Sequence, residues 1–340
     1  MKFLRFLLFP FTIIYSIVTT IRNYFFDIGL FTSTSFPKPI IAVGNLSVGG
    51  TGKTPQIEYL IRLLKNTYSI GVLSRGYGRK TKGFVLVDAS KNATEVGDEP
   101  LQFHKKYSDI TVAVDENRVH GIQQLNTSKV ILLDDAMQHR KVTAGFYVLL
   151  TKYNDLFSND FVLPTGNLRE RRVGAKRADV IVITKCPAQM DSIEKEGIKQ
   201  LIRRYFNGPI FFSSILYSEF LQSNNASEIK TSDLSKYEVL LVTGIANPKP
   251  LEKHLSKLNC TFHHVKFGDH HRFTEKEIGI LKEKFKAINS KNKIVLTTEK
   301  DFVRLSNHID NLYYLPIETS FLEHQTKFDT LITDYVEDSL

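Results

Sequence analysis

The sequence predicts an α/β fold in which a mostly parallel sheet carries helices on both faces and a smaller C-terminal α/β lobe follows. Short apolar runs typical of buried parallel strands alternate along the chain with helical patterns of apolar residues. The earliest of these runs leads directly into a glycine-rich loop and then a helix. The chain has 340 residues, about twice the usual length of one domain, which favours two domains or one large α/β domain.

The composition is that of an ordinary globular protein, with 42% hydrophobic and 24% charged residues. It excludes a disordered, collagenous or disulfide-stapled chain. Lys and Arg number 45 against 36 Asp and Glu, a net charge of +9 that suits an anionic partner such as nucleic acid, an anionic membrane or a phosphorylated substrate. The two cysteines, Cys186 and Cys260, fit neither a metal-ligand pair nor a disulfide framework.

The N-terminal segment, residues 1–30, is unusually apolar. Residues 3–21 contain one charge, Arg5, and are interrupted by Pro10. This run is barely long enough to cross a bilayer, for which about 20 apolar residues are needed. We interpret it as a helix that lies in or dips into a membrane interface. A true span, a buried helix and a signal peptide are the alternatives, although 19–22 offer no small-residue cleavage site.

A phosphate-binding loop follows the buried strand predicted at 39–44. The sequence reads strand, glycine loop, Gly-Lys-Thr and then a helix with Pro55 in its first turn, which is the context such a loop requires. Backbone N–H groups and the helix N-terminus bind phosphate, the lysine reaches the terminal phosphates and the threonine hydroxyl holds Mg²⁺. Ser47 replaces the first glycine of the usual motif. The predicted nucleotide-binding residues are Ser47, Val48, Gly49, Gly50, Thr51, Gly52, Lys53 and Thr54.

A second acidic motif completes the P-loop NTPase pattern. Residues 130–133 form an apolar run that ends in Asp134 and Asp135. Adjacent residues on a strand point to opposite faces, so one acid is expected to face the metal while the other holds the loop or Lys53. With Thr54, these two acids form the predicted Mg²⁺ site.

The remaining pattern predicts the order of the other elements. A helix is expected at 56–66 and another at 116–125, with strands at 70–74, 84–87, 111–114, 146–150 and 180–183. This gives a phosphate-loop core at 31–215. Residues 216–237, rich in Ser, Asn, Glu and Lys, are interpreted as a linker or surface excursion. A C-terminal α/β lobe is predicted at 238–340.

Two acidic and histidine-rich loops are candidates for proton transfer. In Gly97-Asp98-Glu99-Pro100, Asp98 is either a helix cap or a base for an attacking hydroxyl. In the cluster at 267–273, Asp269 is either a cap or, with His270, part of a proton relay. Zinc is disfavoured at this cluster because the usual ligand spacing is missing.

An arginine-rich stretch at 163–179 has two interpretations, a solvated basic face or a clamp for phosphate or an anionic headgroup. Nucleic-acid binding is disfavoured because no aromatic stripe interleaves with the arginines.

These motifs occur together in one known family. They are GNLSVGGTGKTP at 44–55, SRGYGR at 74–79, GDEP at 97–100, DENR at 115–118, DDAMQHR at 134–140, LPTGNLRE at 163–170, RAD at 177–179, TGIANP at 243–248, FGDHHRF at 267–273 and TTEKD at 297–301. The chain resembles the tetraacyldisaccharide 4'-kinase (lipid A 4'-kinase) family, in order and over essentially its whole length. It differs in having Ala136-Met137 where the family usually has Gly-Phe.

The resemblance implies ATP- and Mg²⁺-dependent phosphorylation of the 4'-hydroxyl of a tetraacylated glucosamine disaccharide 1-phosphate. It implies a peripheral or monotopic enzyme at the cytoplasmic face of the inner membrane, with an active site between two α/β lobes. The lipid A precursor and the membrane surface are its expected partners; nucleic acid and an obligate protein partner are not expected.

The resemblance also implies roles for individual residues. Lys53 and Thr54 would hold the nucleotide and Mg²⁺, and Asp134 or Asp135 would supply the metal-binding acid. Asp98 with His270 would form a base dyad. The phosphate and substrate side would be lined by Arg118, Arg169 and Glu170.

Two other classes of protein share the glycine loop. Partitioning and targeting ATPases carry a lysine before the paired glycines, where this chain has Val48. GTP-binding switch proteins recognise guanine with an Asn-Lys-x-Asp motif, which residues 184–187 and 298–301 match only in part.

Overall fold

The computed structural model describes residues 5–224 and 227–340. They form two compact units. The first comprises the chain as far as Ile215 together with Thr319–Leu340, and the second is Leu216–Glu318. The second unit is therefore an insertion into the first. Of the segments expected from sequence, residues 1–4 of the N-terminal helix and 225–226 of the linker lie outside the described residues.

The chain alternates strands and helices. The strands are β1 (Ile40–Asn45), β2 (Ile70–Ser74), β3 (Val85–Leu86), β4 (Thr111–Val114), β5 (Val130–Asp134), β6 (Phe146–Lys152), β7 (Val180–Thr184), β8 (Ile210–Tyr217), β9 (Phe220–Leu221), β10 (Ile229–Lys230), β11 (Glu238–Thr243), β12 (Thr261–Lys266), β13 (Lys293–Thr297), β14 (Leu312–Tyr314) and β15 (Ile317–Phe321). The α-helices are α1 (Phe9–Asp27), α2 (Lys53–Leu64), α3 (Ala93–Val96), α4 (Asp98–Lys106), α5 (Arg118–Gln124), α6 (Ser192–Arg203), α7 (Lys249–Lys257), α8 (Glu275–Ala287), α9 (Glu299–Leu305) and α10 (Gln325–Asp338).

The first unit is built on a nine-stranded sheet in the order β15-β8-β7-β6-β1-β5-β2-β4-β3. The pairs from β8 through β4 are parallel, and the short β3 runs antiparallel to β4. The central strands β1, β2, β5 and β7 are buried along their whole length, as uninterrupted apolar runs covered on both faces require. The predicted α/β fold with a mostly parallel sheet is confirmed.

The glycine loop lies at the centre of this sheet. It follows β1, whose neighbours are β6 on one side and β5 on the other. In the β1–β5 register, Val43 pairs with Asp134, so the acidic motif ends beside the start of the loop. Ligand sites of open parallel sheets lie at the carboxyl ends of such strands.

The second unit has its own sheet and core. Its four strands are parallel, in the order β12-β11-β13-β14. The segment expected to be a linker contributes to it: β9 and β10 form an antiparallel pair, and Leu221 and Leu234 are fully buried against Val239 and Leu241. Spaced apolar residues in a polar segment made this contribution hard to see in the sequence.

The C-terminal helix packs in the first unit, although the sequence analysis assigned all of 238–340 to the second lobe. The buried face of α10 is Phe328, Ile332 and Val336. Tyr335 on the same helix accepts from the N–H of Ile40 at 3.0 Å and donates to its carbonyl at 3.1 Å. Local sequence patterns carry no information about this return across an insertion.

The N-terminal apolar helix is present. Among the described residues, Phe6–Asp27 is long and apolar enough to cross a membrane by length and composition. Most of its large apolar side chains are exposed, with Ile14 and Val18 60% and 59% exposed. Thr12 and Phe26 are the buried residues of α1.

Candidate active site

The glycine loop has the backbone needed to surround phosphate. Gly49 and Gly52 adopt left-handed φ angles of 98° and 91°, which glycine adopts without a Cβ clash. Ser47 is not among the residues with positive φ, so its side chain is tolerated where the usual motif has glycine. Helix α2 begins at Lys53, three residues before the predicted start, and Pro55 falls in its first turn. The N-terminus of α2 thus directs its unpaired N–H groups toward the loop.

A second segment pairs with the glycine loop and fixes its position. Ser47 forms an antiparallel bridge with Leu168, and the N–H of Val48 donates to the carbonyl of Asn167 at 2.8 Å. The N–H of Arg169 donates to the carbonyl of Leu46 at 2.7 Å. This pairing places Arg169 at the mouth of the loop.

The Asp135 carboxylate contacts two cationic side chains of the site, Lys53 and Arg169. It lies 3.6 Å from Lys53 Nζ, and both of its oxygens accept from Arg169 Nη1 at 2.9 Å. Burial alone raises the pKa of Asp135, but Lys53 and Arg169 outweigh it, so that the net pKa is lowered. Asp135 also has a left-handed φ of 49°, which turns the chain sharply after β5. The structure therefore brings together three residues that were predicted separately.

Asp134 occupies a different environment from its neighbour. It is 6% exposed and accepts from the Ser74 hydroxyl at 3.0 Å. Burial raises the pKa of Asp134 to about 6, and although Lys53 opposes this shift, Asp135 and Glu99 reinforce it. Asp135, not Asp134, therefore pairs with Lys53, while the metal-facing role expected for one of the acids stays a prediction.

Arg118 is held under the acidic motif. It is 1% exposed, and its Nη2 donates to the carbonyl of Asp134 at 2.7 Å. Burial lowers the pKa of Arg118 to about 10, with Asp134 and Asp135 opposing that shift. Its Nε and Nη1 have no hydrogen-bond partner among the described residues. Buried donors of a charged group without partners are rare and point to an anion that would complete them.

Glu170 is a buried carboxylate that follows Arg169 in the chain. It is 3% exposed and accepts from Asn23, Gln138 and Arg177 at 2.7, 2.9 and 2.7 Å. All of these partners belong to the first unit. A carboxylate satisfied in this way orients its neighbours, and the substrate-lining role that the resemblance implies for it stays a prediction.

Asp98 is the first residue of α4 and is 2% exposed. It is not the helix cap considered in the sequence analysis, because Gly97, at φ 93°, holds that position. A Cβ on Gly97 would lie 3.3 Å from Gly76 Cα and from the Tyr77 carbonyl. The Asp98 loop therefore packs directly against the loop after β2, and β2 adjoins β5 and its acidic motif.

His270 belongs to the second unit, in the loop after β12, with a left-handed φ of 56°. Its Nε2 lies 2.9 Å from Lys300 Nζ and 4.0 Å from Asp269 Oδ2. Because an ammonium carries donors only, Nε2 is the acceptor. Arg304, one turn beyond Lys300 on α9, donates to the backbone carbonyl of His270 at 2.9 Å.

The structure corrects one of the interpretations weighed for this loop, that Asp269 caps the following helix. Thr274 caps α8 in a capping box with Glu277, so Asp269 is not the cap; it pairs with Lys300 at 3.1 Å. No group of three or more His, Cys, Asp or Glu side chains able to hold a metal occurs in the part of the chain that the structure describes.

Sequence reasoning missed two residues that organise these loops. Gln138 lies within the quoted acidic motif, and its Nε2 donates to the carbonyl of Asn45 at 2.9 Å. Lys300 lies within TTEKD. Both stood in motifs recognised from sequence, yet an amide or a lysine there gives no signal of its role until its partners are known.

The chain is similar to known proteins over nearly its whole length. A family model described as "Tetraacyldisaccharide-1-P 4'-kinase" matches residues 4–337. The chain is similar to a protein of Flavobacterium psychrophilum named "Tetraacyldisaccharide 4'-kinase", at 52% identity over 100% of this chain and 99% of the relative. A protein of the same name from Flavobacterium johnsoniae is 48% identical, with the same coverage.

A solved structure has the same fold. It is described as the "apo" form of LpxK from Aquifex aeolicus in complex with ATP. The TM-score is 0.79 at 30% identity, and the match covers 98% of this chain and 99% of that one.

Proposed function

Because the chain belongs to the tetraacyldisaccharide-1-P 4'-kinase family, we propose that its glycine loop binds ATP while Asp98 and His270 prepare the sugar hydroxyl for attack. The chain is a kinase of lipid A biosynthesis, as its family defines. The acceptor in our proposal is the 4'-hydroxyl of the tetraacylated glucosamine disaccharide 1-phosphate. The role proposed for each residue is argued from the contacts within its own unit.

The cluster of Lys53, Asp135 and Arg169 carries the proposal. Two cations converge on one carboxylate at the mouth of the glycine loop. Phosphoryl transfer depends on positioning and on stabilising charge over the transferring group. In our proposal Asp135 holds Lys53 and Arg169 in place until the ATP phosphates arrive. The cations then stabilise the charge on the γ-phosphoryl oxygens.

The residues around the loop fit a nucleotide triphosphate. Thr51 Oγ1 and two guanidinium nitrogens of Arg118 are buried without a protein partner among the described residues. A Cβ on Gly49 would meet nothing within 4 Å, so the loop is open on that side. Phosphate oxygens would accept from the backbone N–H groups here. Arg118 would act on the same anion from beneath β5.

The donor set also fits Mg²⁺. Thr54, Asp134 and Asp135 offer only oxygen ligands, which Mg²⁺ prefers, with phosphate and water completing its coordination. Asp134 is buried with a raised pKa, so a divalent cation would stabilise its ionised form. When bound, Mg²⁺ neutralises charge on the β- and γ-phosphates. Asp134 and Asp135 would hold it, and Ser74 would keep the Asp134 carboxylate oriented.

Asp98 and His270 supply proton handling in this proposal. The proton of the attacking sugar hydroxyl passes to the Asp98 carboxylate as the oxygen bonds to phosphorus and the bond to the ADP oxygen breaks. A general base contributes about 10²–10⁴-fold. With the Lys300 ammonium donating to Nε2, the ring proton of His270 is at Nδ1, so this nitrogen is the hydrogen-bond donor of the ring.

Helix α1 gives the enzyme access to a lipid substrate. Its exposed apolar side chains would be buried in acyl chains at the cytoplasmic face of the inner membrane, each worth about 1.5–3 kcal/mol when fully buried. Its other face is attached to the first unit through Thr12 and Thr165, whose hydroxyls lie 2.6 Å apart. A helix attached in this way supports the interfacial interpretation.

Transfer of labelled γ-phosphate from ATP to detergent-dispersed disaccharide 1-phosphate tests the proposal. Wild-type protein should produce a 4'-phosphorylated lipid. Asp98→Asn and His270→Ala should each lower kcat by about 10²-fold or more with little change in the KM for ATP. Paired residues act as a unit, so the double variant should lose clearly less than the product of the two single losses.

Two results would contradict the dyad. If the single losses multiply cleanly, the residues act independently. If Asp98→Asn lowers thermal stability but leaves kcat unchanged, Asp98 is a structural residue of α4. The matched control is Glu99→Gln, a carboxylate in the same turn to which we assign no proton transfer, and its kcat should stay within a fewfold of wild type.

A further inference from the structure

The face of α1 opposite its exposed apolar side chains carries a stripe of polar side chains that touch the active-site segment. Thr12 accepts from the N–H of Thr165 at 3.0 Å. The Tyr15 hydroxyl donates to the carbonyl of Arg169 at 3.1 Å. Asn23, two turns further along, donates to the Glu170 carboxylate. The spacing of these residues follows the helical repeat, so one face of α1 contacts 165–170 along its length.

The contact at Asn23 reaches a buried carboxylate. Asn23 Nδ2 lies 2.7 Å from Glu170 Oε2, and Glu170 is 3% exposed. The other oxygen, Oε1, accepts from Gln138 and Arg177. A buried carboxylate that loses one of its donors pays a desolvation penalty and reorients toward the remaining partners. The orientation of Glu170 therefore depends on a residue of α1.

Gln138 transmits that orientation to the phosphate site. Its Nε2 donates both to Glu170 and to the carbonyl of Asn45, at the end of β1. Its Oε1 accepts from Arg169 Nη1 at 3.3 Å. The same Arg169 nitrogen donates to Asp135. One continuous chain of hydrogen bonds thus leads from α1 to the cation cluster.

We propose that Asn23 is a positioning residue of the kinase, acting through Glu170 and Gln138 to hold Arg169 against Asp135. This inference rests on the proposed function, since it needs Arg169 to act on the transferring phosphate. It assigns α1 two separable roles. The apolar face binds lipid, and the polar face maintains the geometry of the catalytic cluster.

Asn23→Leu separates the two roles. Leucine fits a helix and adds apolar surface, so membrane binding is retained while the donor to Glu170 is lost. Because a small misplacement of a catalytic group costs up to about 10²-fold, kcat in detergent micelles should fall about tenfold or more. Flotation with liposomes should match wild type, and the KM for ATP should change less than kcat.

Thr20→Leu is the matched control. Thr20 is on the same helix, and its hydroxyl donates to the carbonyl of Ser16 within that helix at 2.6 Å. The change from a polar residue to leucine is the same in kind, but the contact to Glu170 is kept. Its kcat should equal that of wild type. Equal kcat for Asn23→Leu and Thr20→Leu would overturn the inference.

Two further variants separate positioning from folding. Asn23→Gln keeps an amide donor on a longer arm and should recover part of the lost kcat. Asn23→Asp has the same shape but places a second carboxylate beside Glu170, and should lose at least as much as Asn23→Leu. If all three variants show the same loss of kcat together with the same drop in melting temperature, Asn23 is only structural and the inference fails.

Arg169→Ala distinguishes this inference from the proposed function. If Arg169→Ala lowers kcat and Asn23→Leu does not, the inference fails and the proposed function stands. If Arg169→Ala retains full kcat, the proposed role of Arg169 fails. Support for both requires that each single variant lowers kcat and that the double variant loses less than their product.

Discussion

The carboxyl ends of the two parallel sheets gather polar side chains by different means. In the first unit, a glycine loop and a helix N-terminus leave backbone donors facing outward, and side chains are buried beneath them. In the second unit, Lys300 and Arg304, one turn apart on α9, hold the loop that carries His270. The first arrangement suits a polyanion that is surrounded, whereas the second orients a single imidazole.

The most buried charged residues of the first edge are less exposed than the loop residues of the second. Asp134 and Arg118 are 6% and 1% exposed, but the side chains of His270 and Asp269 are 31% and 42% exposed. Charges interact more strongly where water is excluded. We therefore expect substitution of a charged site residue in the first unit to abolish phosphoryl transfer. Substitution of Lys300 should only weaken it.

Removing the second unit is the most severe test of this comparison. The unit is inserted between β8 and β15, where the N–H of Leu322 donates to the carbonyl of Phe212 at 2.9 Å. A short Gly/Ser linker can therefore replace Leu216–Glu318. Each unit has its own buried core, so the shortened protein should fold and bind ATP with a dissociation constant within about tenfold of wild type. Its transfer rate should fall well beyond the about 10²-fold expected for His270→Ala, because Lys300 and the rest of the second unit are removed together with His270.

Isothermal calorimetry with ATP and the labelled-phosphate assay measure these two outcomes. Lys53→Ala in the shortened protein is the control and should remove the ATP signal. Phosphoryl transfer no slower than that of His270→Ala would show that the rest of the second unit is dispensable for chemistry. Failure to bind ATP in a folded shortened protein would show that nucleotide binding is shared between the units.

Exchanging one cation in each unit gives the next largest effect. Lys53→Ala removes a charge directed at the transferring phosphate and should lower kcat about 10³-fold in a folded protein. Lys300→Ala removes the donor that orients His270 and should lower kcat by about tenfold. Steady-state kinetics with circular dichroism on both variants measure this difference. Comparable losses would mean that a lysine directed at phosphate and a lysine that orients His270 contribute equally to the reaction.

The sequence predicted those parts of the site that lie within short contiguous motifs. The glycine loop, Asp134 and Asp135 fall next to apolar runs, so strand geometry alone places them at one sheet edge. The arginine-rich stretch was ambiguous, and the structure divides it: Arg169 and Arg177 bind carboxylates, while Arg172 lies over the Phe161 ring. Similar arginines in one stretch cannot be assigned before their partners are known.

Contacts between residues far apart in the chain could not be predicted from the sequence. Asn23 meets Glu170 across 147 positions, and α10 returns to the first unit after the insertion. Neither leaves a periodic or compositional trace. The start of α2 was predicted three residues late for a local reason: the prediction followed the apolar pattern, but the helix begins at Lys53, where the glycine loop ends.

The smallest expected effect concerns acid stability, which should differ between the units. Burial, reinforced by Arg118 and Arg75, lowers the pKa of His139 to about 4 from an ordinary 6.5. The unfolded chain therefore takes up a proton that the folded first unit rejects. The free energy of unfolding should fall as the pH drops from about 6.5 to 4. His139→Gln should make the free energy of unfolding depend less on pH in that range.

Glu277 of the second unit should respond in a lower window. Hydrogen bonds from the Thr274 N–H, the His271 ring and the Thr274 hydroxyl lower its pKa to about 2 from 4.5. This carboxylate stabilises the fold above pH 4.5, and the stabilisation is lost as the pH falls toward 2. Hydrogen exchange read on peptides of each unit across a pH series should show the first unit loosening at higher pH. Glu277→Gln should reduce the change in stability between pH 4.5 and 2 and leave the change between pH 6.5 and 4 as it is. If both units lose protection over one shared pH range, the distinction between a buried and an exposed edge is wrong.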